Sequence, residues 1–347
     1  MSKFNSQSIS SIRKTIGWAA TGIGVLLLAN AVYKEFAKYK LEGKVVLITG
    51  GSRGLGLVLA RALAARGAKL AICSRSADKV ELARQELEKT GAEVIAMPVD
   101  ITSRDQVRTM IQDVVRHYGK LDVLINNAGI IQIGPQEAMS IEDYEQAMQT
   151  NFFAPLYAID AALPYFRKQG EGKVINITSI GGKIAMPHLL PYSARKFALV
   201  GLSEGMHAAL KKHNVSVTTV VPNLMRTGSP RNAMVKGDHE AEYAWFKIAA
   251  SSPLLSQHVE AAAENIIKAI EYRASETVLS LSGKLATVVK AIAPGWVSMA
   301  LSVADRLLPD YIPGNIETKR GYEVESQKSQ GPVAMLSDTA AAKNNQM

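Results

Sequence analysis

The sequence predicts an α/β fold: a doubly wound parallel sheet in a single domain, with an N-terminal membrane helix and a helical C-terminal extension. Three observations lead there. From Lys44 onward, short β-branched apolar runs alternate with segments of helical apolar spacing. A glycine-rich turn joins the first run to the first helix. The chain has 347 residues, of which 47% are hydrophobic and 20% charged, enough to bury one large core and too apolar for wholesale disorder. The lone cysteine, Cys73, excludes an internal disulfide framework and a thiolate metal cluster.

Residues 1–40 stand apart. Ile16 to Tyr33 carries no charge, and as a helix it extends about 27 Å, close to the thickness of a bilayer core. Leu26, Leu27 and Leu28 supply apolar mass, and Trp18 and Tyr33 stand near the two ends, where interfacial aromatics are favoured. The segment reads as an uncleaved anchor. A cleaved signal ending at Ala29-Asn30-Ala31 and a core or interfacial helix are the competing readings. Much of the formal net charge of +9 lies here, since residues 1–44 hold seven Lys and Arg against Glu35 and Glu42. The body carries no basic stripe interleaved with aromatics, so nucleic-acid binding is not expected.

Residues 41–282 form the predicted catalytic domain. Lys44–Thr49 is the first strand, and Leu55–Arg66 has helical spacing with Leu55, Leu59, Ala62 and Leu63 on one side. Lys69–Cys73, Glu93–Val99, Leu121–Ile125, Lys173–Ile177 and Val215–Val221 are further strands. Between them fall helical segments at Val80–Lys89, after an N-cap at Ser103, over Ile141–Arg167, and through Tyr192–Lys212. Strands separated by crossover helices make a parallel sheet covered on both faces. Asp122, at the start of a strand, is expected to face solvent. A helix over Val259–Tyr272 and an edge strand over Thr277–Leu281 complete the domain.

Residues 283–319 read as a helical extension. Trp296–Leu308 places Val297, Leu301, Ala304 and Leu308 on one stripe, assigned to packing on the core, with a lipid surface as the alternative. Residues 320–347 are polar and read as a disordered tail.

The turn Thr49-Gly50-Gly51-Ser52-Arg53-Gly54-Leu55-Gly56 follows the first strand and opens a helix. Glycines let the backbone turn sharply and approach a pyrophosphate, and the helix N-terminus offers N–H groups and a positive dipole end. Gly50, Ser52, Arg53, Gly54, Leu55 and Gly56 are therefore assigned to a dinucleotide. An Asp or Glu after the second strand would hold a ribose 2′-OH. This chain has Ser74 and then Arg75, with Asp78 too far along. Two guanidinium groups, Arg53 and Arg75, suit a 2′-phosphate, which makes NADP(H) the predicted cofactor.

Tyr192-Ser193-Ala194-Arg195-Lys196 puts Tyr192 and Lys196 four apart on one helical face, and Ser179 ends a strand thirteen residues earlier. With Asn126-Asn127-Ala128-Gly129 after the fourth strand, and Asn151 in the long helical stretch, the chain resembles the short-chain dehydrogenases/reductases over Leu41 to Tyr272. The resemblance implies a Rossmann fold and an oxidoreductase working on CH–OH and C=O groups. A free tyrosine ionises near pH 10, so a neighbouring lysine ammonium is expected to lower it. Tyr192 would then donate the proton, Ser179 would bind the substrate oxygen, Lys196 would also hold the nicotinamide ribose, and Asn151 would hold a relay water. The resemblance further places Asp100 and Ile101 at the adenine, has Asn127, Ala128 and Gly129 line the cofactor, and gives Thr227 a cofactor contact. The family carries glycine where Asn223 stands; Asn tolerates the left-handed backbone that such a turn needs.

No histidine shows ligand spacing with carboxylates, so no metal is predicted. Met225, Met234, Tyr243, Trp245 and Phe246 lie in or beyond the loop expected to cover the substrate. With the anchor, they point to a lipophilic ketone or alcohol. NADPH supply then sets a single-pass topology with the catalytic domain in the cytosol, since basic residues flank the span on both sides. Homodimer and tetramer both stay open. The competing classes are a catalytically silent scaffold, which should have lost Tyr192, Lys196 or Ser179, and a sugar-nucleotide epimerase or dehydratase, which needs a larger C-terminal domain. Work in the oxidative direction is a further alternative.

Overall fold

The computed structural model describes residues 38–253 and 255–347. The predicted span Ile16–Tyr33 lies outside them. Chain contacts separate residues 1–40 from a second unit, 41–347. Among the described residues no single helix is long and apolar enough to cross a membrane.

The second unit is built on seven strands. They are β1 (Val45–Thr49), β2 (Lys69–Ser74), β3 (Val94–Pro98), β4 (Val123–Asn126), β5 (Gly172–Ile177), β6 (Val215–Val221) and β7 (Glu276–Val278). All neighbours pair in parallel, in the order β7-β6-β5-β4-β1-β2-β3. The central strands β1, β4 and β5 are buried along their whole length by cover on both faces, Lys173 and Asn176 of β5 included. The edge strands β3 and β7 are only partly covered.

Helices α1 (Gly54–Ala64), α2 (Ala77–Glu88), α3 (Arg104–Tyr118), α4 (Ile141–Met148), α5 (Ala154–Gln169), α6 (Leu190–Leu210), α7 (His239–Ser251) and α8 (Val259–Glu271) follow in order. In α3 the stripe Val107, Met110, Ile111 and Val114 is buried, and the Ser103 side chain accepts the Gln106 N–H. Each such aliphatic side chain contributes about 1.5–3 kcal/mol when it leaves water. The order reverses between β1 and β4, and at that switch point the sheet opens a crevice above its strand ends.

Three expectations are corrected. Asp122 is buried rather than solvated: its carboxylate accepts the Val45 N–H at 2.8 Å and pairs with Lys44 and Lys120, tying the start of β1 to β4. The helical stretch after Ile141 is interrupted by a π turn, Gln149–Phe153. The stripe Val297, Leu301, Ala304 and Leu308, by contrast, is half-buried, as packing requires. Helices α9 (Leu281–Ile292) and α10 (Pro294–Asp305) meet at a bend of 119°, and α10 has no buried residue.

The third concerns residues 320–347, which are ordered. They include α11 (Pro332–Lys343), with Ala334, Ser337 and Ala341 buried. The fully buried Lys247 ammonium reaches Glu325 and Asp338 of this segment, the latter at 2.9 Å. Small residues and ion pairs bury it, so its composition carries no apolar signal. Short strands also escaped the sequence reading, among them Leu224–Arg226 paired with Ser256–His258.

Candidate active site

The crevice begins at the turn after β1. Gly50 and Gly54 have φ of +65° and +55°. A Cβ on Gly56 would lie 2.1 Å from the Gly50 carbonyl oxygen, so only glycine lets α1 start this close to the turn. Asn127 fixes the turn from β4. Its Nδ2 donates to the Thr49 and Gly50 carbonyls at 3.0 and 3.1 Å, while the Thr49 hydroxyl oxygen accepts the N–H groups of Asn127 and Ala128. Asn127 thus shapes the cradle through its side chain.

Beyond the turn, three guanidinium groups converge. Arg75 is exposed at the end of β2, and Arg53 reaches Asn232. Arg320, which sequence reasoning missed, donates to the Asn232 carbonyl at 3.2 Å. Burial lowers the Arg53 ionisation from its usual value, and the Arg320 and Arg75 charges lower it further. Cations that repel one another in this way favour an anion among them. Asp100 stands on the opposite wall, its carboxylate accepting the Thr102 N–H and hydroxyl at 3.0 and 2.8 Å.

At the other end lie Ser179, after β5, and Tyr192 and Lys196, both on α6. The Ser179 hydroxyl oxygen accepts the Gly181 N–H at 3.0 Å, and Ser179 stands close enough to Tyr192 to lower its ionisation. The π turn brings in Asn151, whose Oδ1 accepts the Ile130 N–H at 3.3 Å. A Cβ on Gly129 would sit 2.3 Å from the Asn151 amide nitrogen.

The electrostatics differ from the sequence expectation. The Lys196 ammonium donates to the Ile177 carbonyl at 2.7 Å and lies 5.9 Å from the Tyr192 ring centre. Nearer is Arg195, whose guanidinium carbon stands 4.3 Å over that ring. Arg195 is fully buried, donates to the Ile130 carbonyl, and leaves Nε and Nη1 without a hydrogen-bond partner among the described residues. Burial raises the Tyr192 phenol above its ordinary value, while Arg195 and then Ser179 pull it back. Burial, and after it the Arg195 charge, push Lys196 well down, and burial brings Arg195 to about 9. The signal for Arg195 was in the sequence, as a basic residue three positions beyond Tyr192.

Every site residue assigned from the sequence except Gly56 lines one cavity of about 550 Å³; Gly56 lies beneath the turn. Thr227 lines it with its hydroxyl accepting the Ser229 N–H. Asn223 does so too, but its φ is not positive, and its amide reaches Ser282; the turn needs no left-handed residue here. Part of the cavity wall is apolar, from Met186, Leu189, Met225, Trp245 and Phe246. Met234 and Tyr243, expected there, lie elsewhere: Met234 in a short strand and Tyr243 buried with Val235 and Val324.

Residues 344–347 lie across the dinucleotide end. The Gly54 N–H donates to the Asn344 carbonyl at 2.8 Å, and the Asn345 amide donates to the Ser52 carbonyl. Gln346 lines the cavity, its Nε2 2.5 Å from where a Gly54 Cβ would stand, and Lys79 donates to the Met347 backbone oxygen at 2.8 Å.

The profile of the short chain dehydrogenase family matches residues 44–236. A fatty acyl-CoA reductase of Acinetobacter baylyi is 32% identical over 282 residues, covering 81% of this chain and 89% of that protein. A gluconate 5-dehydrogenase of Gluconobacter oxydans is 33% identical over 189 residues, 54% of this chain and 74% of that one. Among solved structures, a dehydrogenase/reductase from Sinorhizobium meliloti superposes with a TM-score of 0.60 at 28% identity, covering 70% of this chain and 95% of its own.

Proposed function

The chain belongs to the short-chain dehydrogenase/reductase family, and from that premise we propose that it is an NADP(H)-dependent oxidoreductase of lipophilic ketones and secondary alcohols. The convergence of Ser179, Tyr192 and Lys196 on one cavity with a glycine cradle carries this reading. The cradle fits a nicotinamide dinucleotide, because Gly50 and Gly56 let the turn close tightly on the start of α1, whose N-terminus suits a pyrophosphate. When bound, such a cofactor supplies the hydride for reduction, or accepts it for oxidation.

The chain's own residues do the rest. In reduction the Tyr192 hydroxyl gives its proton to the substrate oxygen, and Ser179 donates a hydrogen bond to that oxygen as charge develops. The Arg195 charge favours the phenolate left behind. Asn151 holds the loop at Ile130 and is placed to order a relay water. In oxidation the same groups act in reverse, with the Tyr192 phenolate as base.

NADP(H) over NAD(H) is supported by Arg53, Arg75 and Arg320 around the dinucleotide end, where no Asp or Glu follows β2. A lipophilic substrate is supported by the Met186, Leu189, Met225, Trp245 and Phe246 wall. We further propose that Ile16–Tyr33 anchors the chain in a membrane, with residues 41–347 in the cytosol where NADPH is supplied. The deciding experiment is a screen of carbonyl compounds in detergent, following NADPH absorbance. Turnover of apolar ketones is expected. Turnover confined to polyols such as keto-sugars would overturn the substrate class, and equal use of NADH would overturn the arginine reading.

A further inference from the structure

Helices α9 and α10 each carry an apolar stripe outward, while Val297, Leu301 and Ala304 of α10 are half-buried. On α9 the outward stripe is Leu281, Leu285, Val288, Val289 and Ile292, spaced i, i+4, i+7, i+8 and i+11, all exposed. On α10 and just beyond, Trp296, Met299, Val303 and Leu307 continue at i, i+3, i+7 and i+11, also exposed. Leu281, Ile292, Trp296 and Leu307 are 83%, 78%, 77% and 84% accessible. An amphipathic helix normally turns this stripe onto a core; here both helices present it to the surroundings. The charges on the pair and its end are Lys284, Lys290 and Arg306 against Asp305 alone.

Both ends of the pair sit on the rim of the catalytic cavity. Gly283 of α9 packs near Ile180, and Ser282 receives the Asn223 amide at 3.3 Å. At the far end of α10, Asp305 lies 3.8 Å from His188, the residue before Leu189 of the apolar wall.

We infer that α9 and α10 form a membrane-docking surface that lies in the headgroup region of an anionic bilayer and sets the catalytic cavity against it. Apolar residues enter the acyl boundary, Trp296 takes an interfacial level, and Lys284, Lys290 and Arg306 meet lipid phosphates. A second copy of the chain fits less well. A two-fold contact would place this cationic patch against itself. The inference stands on these helices whatever the substrate. Where the lipophilic reading also holds, a ketone dissolved in the leaflet has a short path to Tyr192.

The test uses the full chain with one introduced cysteine, Leu285→Cys or Met299→Cys, labelled with an environment-sensitive bimane. Cys73 is fully buried and its thiol is pushed up to about 12, so it stays unlabelled. Gln85→Cys on α2, beside the opposite edge of the sheet, is the control. On phosphatidylcholine–phosphatidylserine vesicles, labels 285 and 299 are expected to shift to the blue and to be quenched by shallow brominated lipid, while label 85 is unchanged. Trp296→Ser should weaken that response about tenfold, and Lys284→Glu with Lys290→Glu should remove its dependence on phosphatidylserine. Far-UV circular dichroism checks that each variant is folded, independently of any activity. Labels 285 and 299 that stay water-like, even on chains that float with the vesicles through residues 1–40, overturn the inference. A blue shift without vesicles that grows with protein concentration also overturns it, in favour of self-association.

Discussion

At the catalytic end of the groove the functional side chains are enclosed and held by neighbours: Ser179 by the Gly181 N–H, Lys196 by the Ile177 carbonyl, Asn151 by the Ile130 N–H. At the dinucleotide end, Arg75 is exposed and Arg53 and Arg320 reach across from separate parts of the chain to Asn232. Proton transfer depends on geometry fixed before the substrate arrives, and burial supplies that at the cost of shifted ionisation. Phosphate recognition needs charge that can close on its ligand, and partly exposed guanidiniums supply it.

The sharpest break in that contrast comes from Tyr192→Phe. It removes one oxygen from an otherwise intact catalytic end, so turnover should fall about a thousandfold, while NADPH affinity by fluorescence titration stays nearly unchanged. Substantial residual turnover would remove Tyr192 from its role. Arg53→Ala with Arg75→Ala acts only on the other end: NADPH affinity should fall roughly 10- to 100-fold, with NADH little affected.

Arg195→Met probes the electrostatics of the enclosed end. Arg195 lowers the Tyr192 ionisation, so its removal raises that value further above the ordinary one. In reduction Tyr192 must be protonated, and activity is lost as pH rises through its ionisation. The alkaline limb of the profile should therefore move to higher pH, and Arg195→Lys should restore much of its position. A limb that stays in place would show that the guanidinium only packs. The smallest effect is expected from Gln346→Ala, which clears the space over Gly54 and should tighten NADPH binding a few-fold by calorimetry.

The sheet was legible because its central strands are mostly apolar runs and its turns are marked by Gly50, Gly54 and Ser103. The site was legible where a role needs a particular residue at a local spacing, as with Tyr192 and Lys196. Other features depend on contacts between distant segments. Arg320 and Gln346 join the groove from a polar stretch whose folding rests on Lys247 meeting Glu325 and Asp338. The π turn differs from an α-helix by one residue in register, which no apolar pattern marks. On α10 the stripe Val297, Leu301 and Ala304 was legible from its spacing and is half-buried, whereas the exposed Trp296, Met299 and Val303 beside it show the same helical spacing and went unread.

Residues 344–347 bring time into the working of the groove. With the Gly54 N–H held by Asn344 and the space above it filled by Gln346, a dinucleotide reaches its phosphate seat only after this segment swings aside. Binding then contains a step that concentration cannot accelerate. The observed association rate should climb with NADPH and level off at the opening rate of the segment, instead of rising in proportion as it does for an open cleft. Under abundant cofactor, loading is paced by the chain's own motion.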